Sequence, residues 1–254
     1  MKKLFAIIIL LIPGLLIAQT DLSSSNSNAD IKSVKSPIGI FKVSLTSIAL
    51  KNYHFQYEHA LSNKFSASLS YRFQPYGNIP LKKYIEESIN DPDVKVGDFQ
   101  MGNNAITPEL RYYVGGKRMK GFYIAAYARF ASFDLQLPVE YQSAFVKKTT
   151  LLTGSFKSTS GGLMFGSQFN LGKKLVLDWW ILGGHYGSGS GDLVSTFGTP
   201  LSTQEQNDLR TSLNDIDISV VKTTSEVTAN YAKITASGPW AGVRAFGLSL
   251  GFKF

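Results

Sequence analysis

The chain contains no cysteine, which excludes a disulfide framework, a thiolate-bound zinc and a thiol nucleophile. Charge is scarce: Asp, Glu, Lys and Arg make up 17% of 254 residues, against about 25% in an average chain. Histidine occurs three times, at positions 54, 59 and 185, so acid–base pairs and imidazole metal sites have few candidates. Beyond residue 18 no apolar run approaches the ~20 residues that a transmembrane helix requires. No glycine-rich loop follows a strand and opens a helix, so nucleotide binding has no support. Aromatic residues are plentiful instead, with 17 Phe and 12 Tyr. Low charge with high aromatic content argues against a disordered chain.

The N-terminus has the pattern of an export signal. Lys2 and Lys3 precede an unbroken apolar run from Leu4 to Ile12, interrupted by Pro13-Gly14 and resumed at Leu15 to Ile17. A small residue, Ala18, then precedes Gln19 and Thr20, which predicts a signal peptide over 1–18 cleaved after Ala18. Loss of the two lysines lowers the formal net charge from +8 to +6. Residues 19–37 are Ser/Asn-rich and aperiodic, the composition of a flexible linker.

From residue 38 to 254 the dominant period is two. At the end of the chain Phe246, Leu248, Leu250, Phe252 and Phe254 alternate with small or polar residues, as a strand between lipid and a lumen requires. Eight such segments are expected: Ile38 to Leu50, Tyr53 to Ala60, Phe65 to Gln74, Asn104 to Val114, Phe122 to Phe133, Thr159 to Asn170, Leu175 to Gly187 and Trp240 to Phe254. Their connections sort by length. Leu61 to Lys64, Gly115 to Gly121 and Gly172 to Lys174 are short; Tyr76 to Asn103, Asp134 to Ser158 and Ser188 to Gly238 are long. Short inner turns and longer outer loops characterise outer-membrane barrels, and an even strand number puts both termini on the short-turn side. The expected fold is all-β: an eight-stranded antiparallel up-and-down transmembrane β-barrel with long extracellular loops. Within those loops Leu81 to Ile89 and Gln204 to Ile216 carry helical spacing.

Two blocks resemble a known family. Phe55-Gln56-Tyr57-Glu58-His59, the turn Leu61-Ser62-Asn63-Lys64 and Tyr71-Arg72-Phe73 form the first. Ile106-Thr107-Pro108-Glu109-Leu110-Arg111-Tyr112-Tyr113, followed by Gly121-Phe122-Tyr123-Ile124, forms the second. Both are similar to small outer-membrane β-barrels of Bacteroidetes-type bacteria whose function is not assigned, and the row ending in Phe254 looks like an outer-membrane assembly signal. The resemblance implies a fold and a location in the cell outer membrane. It supplies no catalytic residues.

Alternation directs Lys42, Glu58, Arg72, Glu109, Arg111, Arg129 and Asp178 inward. An eight-stranded barrel is just wide enough for side chains to fill, so these charges are expected to pair across strands into a lumen network. A diffusion pore is not expected, since aqueous channels need about 16–18 strands. Trp180 is expected in the lumen, and Tyr53, Tyr112 and Trp179 in aromatic girdles. Arg244 shares the parity of Phe246 and Phe254, which directs it outward near the outer interface, where guanidinium could meet lipopolysaccharide phosphates; a bulge would turn it inward instead. Lys64, Lys117, Arg118, Lys120, Lys173 and Lys174 gather in the short turns. That split distribution, with export, removes nucleic acid as a partner.

The leading expectation is a non-enzymatic barrel with a structural or loop-mediated binding role and no cofactor, metal or catalytic residues. Its surroundings would be outer-membrane lipid and lipopolysaccharide, with the barrel-assembly machinery during biogenesis and an extracellular partner that the sequence does not name. The alternative is a lipid A acyl hydrolase at the outer rim, with His185 as base, Ser188 or Ser190 as nucleophile and Asp192 nearby.

Overall fold

Side chains on a strand point alternately to its two faces, so a period-two chain with large apolar residues on one face makes a sheet with unlike sides. The computed structural model of the chain describes residues 38–78, 99–215 and 221–254. The expected signal peptide, the linker and the Leu81 to Ile89 helix lie outside the described residues.

The strands are β1 (Gly39–Ser44), β2 (Tyr53–Ala60), β3 (Phe65–Asn78), β4 (Gln100–Tyr113), β5 (Gly121–Ser143), β6 (Val146–Leu171), β7 (Leu175–Thr196), β8 (Lys222–Val227) and β9 (Tyr231–Lys253). All pair antiparallel with their chain neighbours from β1 to β7, then β7 pairs with β9. Pairing of β1 with β9, from Ile40 against Lys253 to Ser44 against Ser249, closes the sheet into a ring. The fold is therefore all-β, an antiparallel up-and-down sheet closed on itself. Eight strands make the ring, and β8 adds to the edge of β9 over Ala232 to Ser237, beyond the point where β1 stops.

Three stretches depart from expectation, one of them the loop expected over Ser188 to Gly238, where β7 continues to Thr196, β8 spans Lys222–Val227 and β9 begins at Tyr231. The first strand ends at Ser44 rather than Leu50, and α1 (Leu45–Ala49) follows. Ser44 caps it, its hydroxyl accepting from the Ser47 backbone N–H at 3.2 Å. Local side-chain bonds of this kind compete with a strand ladder. The helix fills the seam beside β9, where Thr46 Oγ1 accepts from the Leu248 N–H at 3.2 Å.

The remaining departure is the stretch Asp134 to Ser158, expected as a loop. Here β5 and β6 stay paired up to Ser143 against Val146. The hairpin tip is Ala144-Phe145, both at positive φ (49° and 63°), as a two-residue hairpin turn that follows the strand twist demands. Phe145 stands 98% exposed there. From Asp134 to Ser143 the strand rises roughly 30 Å at ~3.3 Å per residue before tilt.

This extension has its own core. Helix α2 (Thr203–Asn214) starts in a capping box, Ser202 with Glu205. It buries Leu209 and Leu213 against Val139, Tyr141, Leu152, Val227, Ala232 and Ile234. Lys148 of β6 pairs with Glu205. Hydrogen bonds from Lys148 and then from Ser202 hold the Glu205 carboxyl down to about 2. On the rim, bonds from Thr235 and Lys233 lower the Asp192 carboxyl. The opposite end of the ring carries the three short turns and both ends of the sheet, with Ile38 N–H and Gly39 N–H donating to Phe254 O at 3.2 and 3.1 Å.

Candidate functional site

The interior of the ring is polar and the exterior apolar. Outside stand Phe41, Phe55, Leu69, Tyr71, Ile106, Leu110, Phe130, Leu163, Phe165, Phe246 and Phe252, all exposed. Tyr53 stacks on Phe73 at 6.5 Å and Trp179 meets Phe246 edge-on at 6.1 Å on this outer face. Phe254 is 63% exposed and stacks on Tyr57.

Inside, the strand register sets Lys42, Glu58, Glu109, Arg111 and Asp178 within one layer near the short-turn end. Lys42 Nζ donates to Glu58 Oε2, Gln168 Oε1 and Asp178 Oδ2, each at 2.5 Å. Arg111 donates to Asp178 Oδ2 at 2.7 Å, to Glu109 Oε2 at 2.8 Å and to Gln56 Oε1 at 3.0 Å, and lies 3.5 Å from Glu58 Oε2. Its guanidinium rests over the Tyr123 ring at 4.4 Å. The remaining carboxylate oxygens are also occupied. Glu58 Oε1 accepts from Tyr113 at 2.6 Å and Ser66 at 2.5 Å, and Asp178 Oδ1 accepts from Tyr123 at 2.8 Å. Every side chain of the Lys42, Glu58, Arg111 and Asp178 pairs has zero solvent exposure. A buried ion pair must have its residual hydrogen bonds met to offset desolvation, and this layer meets them with Gln56, Gln168, Tyr113 and Tyr123.

Arg244 completes the layer. Its Nη1 donates to Glu109 Oε1 at 3.0 Å, and its guanidinium lies over Tyr127 and Trp180 at 5.0 and 4.8 Å. This corrects the outward orientation derived by counting back from Phe254. Ala245 and Phe246 are both exposed, so the sidedness of β9 switches there. Across the pair, Ile181 and Leu182 are likewise both exposed, where the β6–β7 register shifts between Phe165 and Gly166. Buried and ion-paired, Arg244 presents no guanidinium to the outer face of the ring.

With Arg244 included, three cations (Lys42, Arg111, Arg244) face three carboxylates (Glu58, Glu109, Asp178). Arg72 and Arg129, expected in the same network, are not brought to a carboxylate of the described residues. Among the described residues Arg129 reaches only Thr107 Oγ1, at 3.4 Å. His54 is 2% exposed and sits against Trp180 at 4.8 Å, edge to face.

The residues of the alternative hydrolase reading are not brought together. His185 turns inward, with Nδ1 3.2 Å from the Tyr127 hydroxyl, while Ser188 and Ser190 are exposed on the other face of β7. Asp192 is bound to Thr235 and Lys233 on the rim. His59 lies beside Tyr57 Oη at 3.2 Å.

Inward parity alone points to Gln56 and Tyr123 as members of the layer. Tyr113 and Gln168 carry the same signal, but their roles follow from register across strands distant in sequence.

Compared with known proteins, residues 29–190 match the model of a protein family of unknown function, DUF3575, over more than half of the chain. No curated protein and no solved structure matches it.

Proposed function

The chain belongs to the DUF3575 family of proteins of unknown function, and from its inverted polarity we propose that it is an integral outer-membrane β-barrel. Its role is to serve that membrane structurally or to display its extension to a partner; it is neither a diffusion pore nor an enzyme. The observation that carries this is the apolar outer face of a ring whose interior is charged. A soluble monomer rarely exposes a contiguous apolar patch beyond a few hundred Å², whereas large apolar residues here face outward around the whole ring. On β3 they run from Phe65 to Phe73, about 26 Å of strand at ~3.3 Å per residue, which at the ~35–45° tilt of outer-membrane strands spans roughly 20 Å of their ~25 Å apolar band. Outer-membrane lipid and lipopolysaccharide would cover the belt.

The ion-paired layer argues against conduction, because its side chains occupy the lumen of a barrel only wide enough to be filled. The extension supports display. It holds a helix on its own core and ends in Phe145, an aromatic 98% exposed at the hairpin tip.

The test is a charge on the belt. Leu69 is 56% exposed. Leu69→Arg should destabilise the protein in phospholipid vesicles by about 2–4 kcal/mol if the residue lies at the bilayer midplane. A soluble ring would tolerate that exposed charge without loss. Fractionation of producing cells gives the location: recovery as soluble protein would end the membrane proposal. Steady conductance in a planar bilayer would end the exclusion of a pore.

A further inference from the structure

Above the paired layer, toward the extension, the interior collects hydrogen-bond donors and cations with no anion of the described residues among them. Arg72 stands opposite His54 in the β2–β3 register. Arg129 of β5 is 8% exposed and faces the same space. Arg244 lies over the Trp180 ring at 4.8 Å and His54 meets the same ring at 4.8 Å, while Arg72 pairs in register with both His54 and Ala105 and Arg129 reaches Thr107, two residues along from Ala105, so the three arginines border one space. Glu109, the carboxylate that Arg244 uses, is shared with Arg111, Gln56 and Ser68. Arg72 Nε, Arg244 Nη2, both ring nitrogens of His54 and the hydroxyls of Ser158 and Ser160 are buried without a hydrogen-bond partner among the described residues. Buried polar groups in folded proteins are nearly always satisfied, and buried charges are paired.

We propose that this upper lumen is a binding site for a doubly charged oxyanion of the phosphate or sulfate class, held by Arg72, Arg129 and the free edge of Arg244. The charge count sets the valence. Lys42, Arg111 and Arg244 are balanced by Glu58, Glu109 and Asp178, so among the described residues Arg72 and Arg129 leave the upper lumen with an excess of two positive charges. Guanidinium is the side chain suited to bidentate capture of tetrahedral oxyanions. The serine hydroxyls on β6 and one His54 N–H supply further donors. The site rests on the lumen alone and stands apart from the membrane proposal.

The experiment uses the full chain in a phosphate-free zwitterionic detergent. Thermal unfolding is followed in sodium sulfate, sodium phosphate and sodium chloride at matched ionic strength, with calorimetric titration of phosphate alongside. Sulfate stabilises most proteins weakly and without saturation by exclusion from their surface, so the readout is the saturable part. A ligand at about 100 times its Kd shifts the folding equilibrium about 100-fold. The expected result is saturable stabilisation by sulfate and phosphate, with one site per chain. Arg72→Gln and Arg129→Gln, made singly, should each weaken that response and raise the midpoint in chloride, because repulsion is relieved. A second arm dopes the micelles with phosphatidic acid. A response to dissolved phosphate assigns a soluble anion, and one seen only with the doped micelles assigns a lipid phosphate entering the lumen. Equal midpoints in all conditions, or an undiminished saturable response in the Arg72→Gln and Arg129→Gln proteins, would overturn the site.

Discussion

Replacing Arg111 with methionine tests the paired layer at its centre. The guanidinium holds Glu109 through Nε and Nη2, Asp178 through Nη1 and Gln56 through Nη2, and Nη1 approaches Glu58. Methionine keeps an unbranched chain in the space but leaves two cations, Lys42 and Arg244, against three carboxylates. Glu109 then depends on Arg244, Gln56 and Ser68. Removing one partner of a buried pair costs about 3–5 kcal/mol, because the other charge stays buried. At about 2–4 °C per kcal/mol for a protein of this size, the thermal midpoint should fall by roughly 6–20 °C. Folded and heat-unfolded forms can be resolved as separate gel bands, and tryptophan fluorescence in urea gives an independent midpoint. Adding Asp178→Asn to Arg111→Met restores the balance, since Lys42 keeps Glu58, and should recover part of the loss. A midpoint unchanged within about 2 °C for Arg111→Met, less than the shift expected for 1 kcal/mol, would refute a stabilising ion-paired lumen.

Gly166→Ala places a methyl group 2.3 Å from the Tyr123 hydroxyl, which must move off Asp178; overpacking of this kind costs about 1–3 kcal/mol, read as a lower urea midpoint. Leu213→Ala, 2% exposed in the extension core, should cost about 2–5 kcal/mol in that core alone, exposing α2 to protease while the band shift of the ring persists. The contribution of Glu205 to α2 docking has a definite sign in pH. Its carboxyl falls from 4.5 to about 2 on folding, so the contribution is fully present above about pH 4.5 and is lost as pH falls through about 2. Amide exchange of Leu209 and Leu213 across that window measures it, and Lys148→Met should flatten the dependence; an identical profile in both proteins would refute the assignment.

The inward and outward faces were legible in the sequence because alternation is a property of the backbone of each strand by itself. Phe55, Gln56, Tyr57 and Glu58 declare their sides with no knowledge of a neighbour, and so do Glu109 and Arg111. Short turns at Leu61 to Lys64 and Gly172 to Lys174 were equally local. The α2 helix showed its apolar spacing at Leu209 and Leu213. Tertiary structure decided what depends on register. Lys42 meets Asp178 across 136 positions of sequence, and only closure of the ring selects that partner. Arg244 turns inward because the sidedness of β9 switches at Ala245 and Phe246, a shift shared with β7 that breaks the count from Phe254. Asp134 to Ser158 became a long hairpin because β5 and β6 pair beyond the ring and α2 covers them. The division between six balanced charges and two unbalanced arginines also belongs to the closed sheet: alternation puts seven of the eight inside, the switch in β9 adds Arg244, and strand stagger sets the height at which each one meets, or lacks, its opposite among the described residues.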